Sequence, residues 1–551
     1  MSRRSLSHFL VLAGVCCLSI APFFWYGNPS GHDFEFHMFS WMDVLNQWKQ
    51  GVLYPRWAAL AHWGYGEARF LFYPPASWTL GAALGALLPW KVVPGAYCWL
   101  VLTAAGASMY RLVRQWLNPS DALFAAVFYA LNPYHLLIVY WRSAYAELLA
   151  SILLPLLLLC LGRLKDGGWH PTLWLSLILA AAWLTNAPAA VMIHYSAAGL
   201  AFFLALQERS ARPLVRVAIA VLLGAGLASF YLVPAIYEQR WVNIAEVLAP
   251  GVRPQDNFLF TMTSDPDHNR FNLLVSFLAL AEIAALALAI SFSRRTSLEP
   301  RRWKLVSTWG VAIAFVMFPA SIPFWKFLPE FRFVQLPFRW LLCLNVALAL
   351  LLAAATNRPA LRRSAKRPWI MRAAVFVVLT VALILIGQRT QPPWWDSSKD
   401  IADMIQAISS GAGYEGTDEY VPAGADPYDV KKSLPQVSDE SGAAPNSKLL
   451  EWAATEKRFV VHARETQNIT VRLFNYPAWE VSVNGRRVDT QTSEDTGLMV
   501  IPVSAGENDI RIRFKRTIDR TLGGIVSMFS LILLCVIWRA AGHPELAKIH
   551  A

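Results

Sequence analysis

Apolar runs of about 20 residues recur along most of the chain, separated by short polar or basic stretches. A helix needs about 20 apolar residues to cross roughly 30 Å of hydrocarbon. The pattern therefore predicts a polytopic α-helical membrane protein with about twelve transmembrane helices. We expect them near residues 6–26, 92–113, 122–139, 145–164, 171–187, 189–206, 214–234, 272–292, 305–322, 338–356, 372–388 and 520–538.

The basic residues between these runs predict the orientation of the helices. With the N-terminus in the cytoplasm, six basic loops fall on the cytoplasmic side, where membrane proteins concentrate positive charge. These loops contain Arg111, Lys165, Arg209, Arg294, Arg358 and Arg539. The alternation requires that the short apolar run 76–89 does not cross, and its length favours a re-entrant or interfacial element. Loop 27–91 and block 389–519 are then exported.

The exported block 389–519 divides into two parts. Residues 389–456 are rich in polar residues, Gly, Ser and Pro, which indicates loops. Between 457 and 515, apolar and polar residues alternate in runs such as "NITVRL" and "NDIRIRF", and "NG" is a hairpin signal. We predict a β-sandwich-like domain there, after a membrane body at 1–388 and before a last helix and cytoplasmic tail at 520–551.

The composition supports a membrane protein and excludes several other classes. The 551 residues are 56% hydrophobic and 16% charged, whereas soluble domains carry about 25% charged residues. The net charge of +12 lies in scattered short loops and not on one face, so no nucleic-acid partner is expected. The six cysteines all fall in apolar runs, which leaves no exported disulfide or CxxC metal site. They are Cys16, Cys17, Cys98, Cys160, Cys343 and Cys535.

A polar cluster, "HDFEFH", follows the first predicted helix. Asp33 and His37 share one face whether the segment is helical or extended, and Glu35 joins them if it is extended. A carboxylate in this position could act as a general base, or Asp33 and His37 could hold a divalent metal ion. Alternatively, Ser30 and Asp33 form a capping box and Glu35 complements the helix dipole.

Charged residues in later exported segments are candidate phosphate ligands. Arg56 lies in an aromatic loop, 51–78, whose composition suits the headgroup level of a membrane. Arg142 and Glu147 flank a predicted helix edge, where charge at membrane depth is costly and indicates function. Because they are five residues apart, they can pair only if the helix breaks between them. Snorkelling of an unrelated Arg is the structural alternative.

A third segment, "FWKFLPEFRFVQLPFRW", again combines cations with aromatic residues. Arg332, Gln335 and Arg339 in this segment are candidate contacts for a lipid-linked phosphate. The same residues could instead be interface anchors. The chain contains no Walker loop, GxSxG or HExxH motif, so nothing in the sequence indicates ATP hydrolysis.

Several segments together resemble a known family. They are "HDFEFH", "YPRWAALAHWGYGEARFLFYPPASW", "YWRSAYAELLASILLP", "LTNAP", "QLPFRW" and "GTDEYVP". The chain resembles the bacterial membrane proteins related to 6-pyruvoyl-tetrahydropterin synthase (PTPS-related), a label taken from a domain name and not from pterin chemistry. That family is similar to YfhO-type proteins and the wider GT-C glycosyltransferase architecture.

The resemblance implies a glycosyltransferase of the bacterial cytoplasmic membrane, with its site and β-domain on the exported side. It would take a sugar from a polyprenyl-phosphate donor, with Asp33, or secondarily Glu35, as the catalytic carboxylate. Membrane lipids are the other expected partners. Two other classes remain open: a transporter or flippase of lipid-linked saccharides, and a non-catalytic assembly protein whose β-domain binds a glycan or a partner.

Overall fold

The computed structural model describes residues 3–164, 168–294, 296, 298–356, 372, 394–432, 434–494 and 496–542. Within them the protein is mostly helical, with β-structure near its C-terminus. The α-helices are Arg3–Ser19, Pro22–Tyr26, Phe34–Lys49, Ala61–Gly64, Arg69–Phe72, Pro75–Leu87, Val93–Val113, Pro119–Ala130, Pro133–Leu137, Tyr145–Ala150, Leu153–Leu161, His170–Thr185, Ala187–Glu208, Arg212–Leu227, Ser229–Glu238, Pro254–Asn257, Pro266–Ser293, Pro300–Val316, Ile322–Phe327, Leu341–Thr356, Ser398–Ser409 and Ile518–Gly542.

Seven helical segments among the described residues are long and apolar enough to cross a membrane. Each corresponds to a crossing predicted from the sequence. They are Ser5–Tyr26, Trp90–Val113, Pro119–Arg142, Ala187–Glu208, Pro266–Ser293, Pro337–Thr356 and Ile518–Ala541.

Four other predicted crossings take a different form. The regions predicted at 214–234 and 305–322 are helix pairs bent by 75° and 96°, and counting each pair as one span raises the number to 9. The helices at Tyr145–Leu161 and His170–Thr185 are apolar but shorter than a standard span. The predicted crossing 372–388 lies outside the described residues apart from residue 372, so a count of twelve stays a prediction.

Loop 27–91 folds into helices against the body. Phe34–Lys49 packs on Pro75–Leu87, and a Cβ added at Gly81 would lie 2.1 Å from the Trp41 ring, so only glycine permits this approach. Helix Pro75–Leu87 has 13 residues, about 20 Å at 1.5 Å per residue, and is therefore too short to cross. A two-residue strand at Asn28–Pro29 pairs with Trp395–Asp396 and ties the loop to block 389–519.

The C-terminal β-domain consists of two antiparallel sheets, and their inner side chains belong to one apolar core. The predicted Asn484-Gly485 turn is confirmed: φ is 52° and 78° at these residues, as a two-residue hairpin requires. The first sheet has the order Val437–Ser438, Gln467–Phe474, Leu498–Val503, Gln491–Thr492. The second has the order Ser447–Trp452, Glu456–Ala463, Gly506–Phe514, Trp479–Val483, Arg486–Val488.

The segment predicted to be loop-rich, 389–456, contains regular structure in its described part. Helix Ser398–Ser409 starts at a capping box formed by Ser397 and Asp400, and it buries Ile401 and Met404. The β-domain begins at residue 437, twenty residues before the predicted boundary of 457. The prediction missed the strand at 447–452 because most of its side chains are exposed, so it shows no alternation.

Buried polar contacts join the β-domain to the helical body. Both carboxylate oxygens of Glu238 accept hydrogen bonds from Arg520, each at 2.7 Å, and the Tyr476 hydroxyl donates to Glu238 at 2.7 Å. Glu238 ends a bent helix, Arg520 lies in the last helix, and Tyr476 belongs to the β-domain. One buried ion pair therefore fixes three parts of the chain relative to one another.

Candidate functional site

The site is organised by a break in the chain after Arg142. A π-helical turn, Ile138–Arg142, ends at Ser143, whose φ of 49° is left-handed, and a new helix starts at residue 145. This is the break that pairing of Arg142 with Glu147 requires. The Ser143 hydroxyl donates to the Pro29 carbonyl at 3.0 Å and accepts from the Gly31 amide at 3.1 Å. The break therefore also positions the chain just before Asp33.

Two arginines converge on one buried carboxylate. Arg142 Nη1 lies 2.7 Å and Arg339 Nε 3.3 Å from Glu147 Oε2, and the Tyr134 hydroxyl donates to Glu147 Oε1. Arg339 also donates to the Gln335 side chain at 2.7 Å. We call these five residues the arginine cluster. With two cations and one anion it retains one positive charge, and Arg339 is its most exposed ion, with 12% of the side chain accessible.

Asp33 lies beside the arginine cluster. Its backbone N–H donates to the Arg142 carbonyl at 2.9 Å, and its carboxylate interacts electrostatically with Arg142 and Arg339. Burial raises the pKa of the Tyr73 phenol well above its ordinary value, and the nearby Asp33 charge raises it further. The half-buried Asp33 side chain accepts no hydrogen bond from the described residues. It is an available carboxylate facing two arginines.

The capping explanation for this segment is wrong. The helix begins at Phe34 with Asp33 at the N-cap, and the Asp33 side chain makes no capping hydrogen bond. Ser30 is therefore not the cap; its backbone N–H donates to the Trp394 carbonyl instead. Glu35 lies in the first helical turn and is exposed, so it can still complement the helix dipole.

The His37 side chain is buried among aromatic rings. It is 1% exposed, with the rings of Phe36, Trp41, Tyr73 and Tyr145 at 5.2–5.9 Å. Burial, with a contribution from Arg69, lowers the pKa of His37 to about 3.

A metal ion held by Asp33 and His37 would need further ligands. No group of three or more His, Cys, Asp or Glu side chains is placed to hold a metal in the part of the chain that the structure describes. The two cationic groups that act on Asp33, Arg142 and Arg339, have no lone pair with which to coordinate a divalent ion. The surroundings of Asp33 therefore fit a proton acceptor better than a metal ligand.

Aromatic rings surround His32, the residue before Asp33. The His32 ring lies 5.0 Å from Phe271 and 6.2 Å from Trp394, and Trp141 lies 6.0 Å and 5.7 Å from the same two rings. Trp141, Phe271 and Trp394 are each partly exposed. This arrangement offers apolar and aromatic surface next to a carboxylate and a cationic cluster, as ligand sites commonly do.

The structure does not bring two predicted residues into the arginine cluster. Arg56 donates to the Phe230 carbonyl at 3.2 Å and stacks on Tyr54, within electrostatic reach of Glu238 and Arg520. Arg332 is exposed and lies over the Phe333 ring. Of the phosphate ligands predicted from the sequence, Arg142, Glu147, Gln335 and Arg339 come together.

A second buried network lies within loop 27–91. Glu67 Oε2 is 2.9 Å from His62 Nε2 and accepts from the Thr417 N–H at 2.8 Å, while Oε1 is 2.5 Å from Arg69 Nε. Burial alone raises the pKa of Glu67, but Arg69 and His62 outweigh it, and the pKa falls below its ordinary value. The "GTDEYVP" segment is thereby attached to the first loop.

Sequence reasoning missed the neighbouring Asp43. This side chain is fully buried and accepts from Gln47 at 3.0 Å and from the Tyr414 hydroxyl at 3.0 Å. Burial raises the pKa of Asp43 to about 6, and these hydrogen bonds offset only part of the rise.

Sequence reasoning also missed Tyr73 and Tyr134. The only available signal was their position beside "PP" and in "NPYH", which does not specify a contact.

Asp43 gives the fold a measurable dependence on pH. Its folded pKa is above the unfolded value, so the folded state binds the proton more tightly, and stability falls as pH rises through the folded pKa. Between about pH 4 and 6 the free energy of unfolding falls by about 3 kcal/mol, at about 1.36 kcal/mol per pH unit. We expect the melting temperature of wild type to fall relative to Asp43→Asn over this range. The exposed Asp403→Asn is the control; a pH-independent difference between wild type and Asp43→Asn would contradict the assignment.

Comparison with family models identifies the chain. Residues 70–392, more than half of the chain, match the family described as "6-pyruvoyl-tetrahydropterin synthase related domain; membrane protein". The chain belongs to this family. The match includes the arginine cluster and begins just after the Glu67 network, whereas Asp33 and the β-domain lie outside it. This family member is thus a membrane protein, in agreement with its apolar helices. The comparison with curated proteins finds no match.

Two solved structures resemble the chain distantly. One is arabinofuranosyltransferase AftD from Mycobacteria, with 19% identity over 70% of this chain and a TM-score of 0.43. The chain spans 28% of that protein. The other is ArnT from Cupriavidus metallidurans bound to undecaprenyl phosphate, with 13% identity, a TM-score of 0.39, and coverage of 75% of this chain and 76% of that one. Because both scores are low, the site is interpreted from its own geometry.

Proposed function

We propose that this protein is an inverting, GT-C-like glycosyltransferase that uses a polyprenyl-phosphate-linked sugar. The observation that carries the proposal is the Asp33 carboxylate, which accepts no hydrogen bond from the described residues and lies within electrostatic reach of two arginines held by Glu147. A base for the acceptor and a cationic site for a leaving phosphate are the two groups that such a transfer requires.

The proposed step is a single displacement at the anomeric carbon of the donor sugar. Asp33 accepts the proton of an acceptor hydroxyl while that oxygen forms the new bond to the anomeric carbon. The bond from this carbon to the phosphate oxygen breaks, and polyprenyl phosphate departs with the electron pair. Arg339, supported by Arg142, stabilises the developing phosphate charge through charge-assisted hydrogen bonds.

Glu147 has a positioning role in this mechanism. It holds Arg142 and Arg339 at fixed positions, and Gln335 holds Arg339 from its other side. Fixed cations stabilise charge that develops in the transition state without a cost of reorganisation. The half-exposed rings of Trp141, Phe271 and Trp394 would exclude water and contact the apolar parts of the substrates.

The positive-inside pattern places the proposed site outside the cytoplasm. Basic loops such as those with Arg111 and Arg294 mark the cytoplasmic side, and Asp33 follows the first predicted crossing. We therefore propose the bacterial cytoplasmic membrane as the location, with the site and the β-domain exported. A donor attached to a polyprenyl phosphate suits this side, because it carries its own leaving group and requires no nucleotide.

Lipid and glycan profiling of a deletion strain tests the proposed function. We expect the strain to lose one envelope glycan or glycolipid and to accumulate the polyprenyl-phosphate sugar, with both changes reversed by the wild-type gene. Loss of the product without accumulation of a lipid-linked sugar would favour an assembly role. Unchanged profiles of both lipids and glycans would contradict the proposal.

A further inference from the structure

A large cleft lies between the β-domain and the helical body. Its volume is about 590 Å³, within the range typical of small-molecule sites. It is lined from the β-domain by Asn475, Trp479, Arg487 and Asp489, and from the body by Arg240 and Trp241. It shares no residue with the arginine cluster or with Asp33, so it is separate from the proposed catalytic site.

The cleft combines aromatic rings with exposed planar polar groups. Trp241 is partly exposed and offers its ring to a ligand, while Tyr476, whose ring lies 5.6 Å away, and Trp479 line the cleft but are buried. Arg240, Arg487 and Asp489 are exposed at its edges. Aromatic rings contact the apolar faces of a sugar, while guanidinium and carboxylate groups can each form paired hydrogen bonds with neighbouring hydroxyls.

The walls of the cleft are held in place before any ligand binds. Tyr476 donates to the buried Glu238, and the Ala423 N–H donates to the Trp241 carbonyl at 2.9 Å. The Arg240 guanidinium stacks on Tyr237 at 3.9 Å, and Arg487 lies 3.3 Å from Glu480. A site whose side chains are fixed in advance loses less conformational freedom on binding.

We propose that this cleft binds an oligosaccharide and holds part of the acceptor glycan at a distance from the catalytic site. The assignment of the ligand as the acceptor rests on the proposed function, whereas binding of an oligosaccharide does not. The lining combines the Trp241 ring with arginine, aspartate, asparagine and threonine side chains, which favours a hydroxyl-rich ligand over an apolar peptide. Residues 240–241 directly follow the bent helix Ser229–Glu238, part of a candidate span. The cleft is therefore next to the membrane, where an envelope glycan would be presented.

Glycan binding by the full-length protein in detergent tests the proposal directly. The probe is an array of linear and branched tri- to hexasaccharides of hexoses and pentoses, followed by titration of the strongest ligand. We expect Trp241→Ala and Arg487→Ala each to weaken binding by about tenfold or more, as aromatic and arginine anchors do. Arg464→Ala, an exposed β-domain arginine outside the cleft, should bind like wild type.

Two further comparisons separate the outcomes. Arg487 is exposed, so its variant tests the cleft even if Trp241→Ala unfolds. Asp33→Asn should keep wild-type glycan affinity, because Asp33 does not line the cleft. Absence of binding to every saccharide on the array, or unchanged affinity in Arg487→Ala, would overturn the proposal. Glycan binding by a protein whose Asp33→Asn variant still makes product would support the cleft and contradict the catalytic assignment.

Discussion

Replacing Asp33 with asparagine is expected to abolish sugar transfer while the protein remains folded. Loss of a general base typically lowers a rate by about 10²–10⁴-fold. The Asp33 carboxylate is half-buried and accepts no hydrogen bond from the described residues, so the amide replaces it without breaking a structural contact. The measurement is glycan and glycolipid profiling at matched protein levels, in a strain that lacks the native gene.

Glu35→Gln is the matched control for this prediction. Glu35 is an exposed carboxylate in the first turn of the helix that follows Asp33. In the strain that lacks the native gene, we expect Glu35→Gln to restore the glycan product. We expect Asp33→Asn not to restore it. A product made at wild-type level by Asp33→Asn would remove Asp33 from the catalytic role. Loss of product in Glu35→Gln alone would move that role to Glu35.

Replacing Glu147 with glutamine is expected to destabilise the protein strongly. The substitution removes the carboxylate that both Arg142 and Arg339 contact, and breaking a buried ion pair costs about 3–5 kcal/mol. The loss should appear as a lower temperature of thermal aggregation in detergent and as reduced accumulation in membranes. Sugar transfer per folded molecule should fall as well, because the arginines lose their fixed positions.

The matched control is Glu246→Gln, which removes one carboxylate from an exposed position. It should melt like wild type, since surface substitutions usually change stability by less than about 0.5 kcal/mol. Arg142→Met combined with Glu147→Leu removes the pair together and should recover part of the stability that Glu147→Gln loses. Wild-type melting of Glu147→Gln would show that the two arginines do not depend on this carboxylate.

The sequence could predict features that depend on local pattern. Apolar run length located the spanning helices, and strict alternation located the strands from 467 to 514. The cost of charge at membrane depth identified Arg142 and Glu147. Their five-residue spacing required a break in the helix between them. The left-handed Ser143 that provides this break has no sequence signal, because serine rarely adopts this conformation.

Features built from distant segments could not be predicted. Asp43 and Tyr414 are 371 residues apart in the chain, and Glu67 and Thr417 are 350 residues apart; no periodicity encodes such pairs. Arg332 and Arg339 look alike in sequence and each lies in a 3₁₀ turn, yet Arg339 reaches Glu147 whereas Arg332 is exposed. The composition of the segment identified it as a candidate site, but only tertiary packing determines that Arg339 and not Arg332 joins the arginine cluster.

The central claim is that Asp33 and the arginine cluster together transfer a sugar from a polyprenyl-phosphate donor. The most direct test incubates purified protein in proteoliposomes with polyprenyl-phosphate-linked hexoses and pentoses and with extracted envelope glycan, and measures released polyprenyl phosphate by mass spectrometry. We predict release with one of these donors by wild type and Glu35→Gln, and none above background by Asp33→Asn. Equal release by wild type and Asp33→Asn, or no release from any donor by wild type, would contradict the claim.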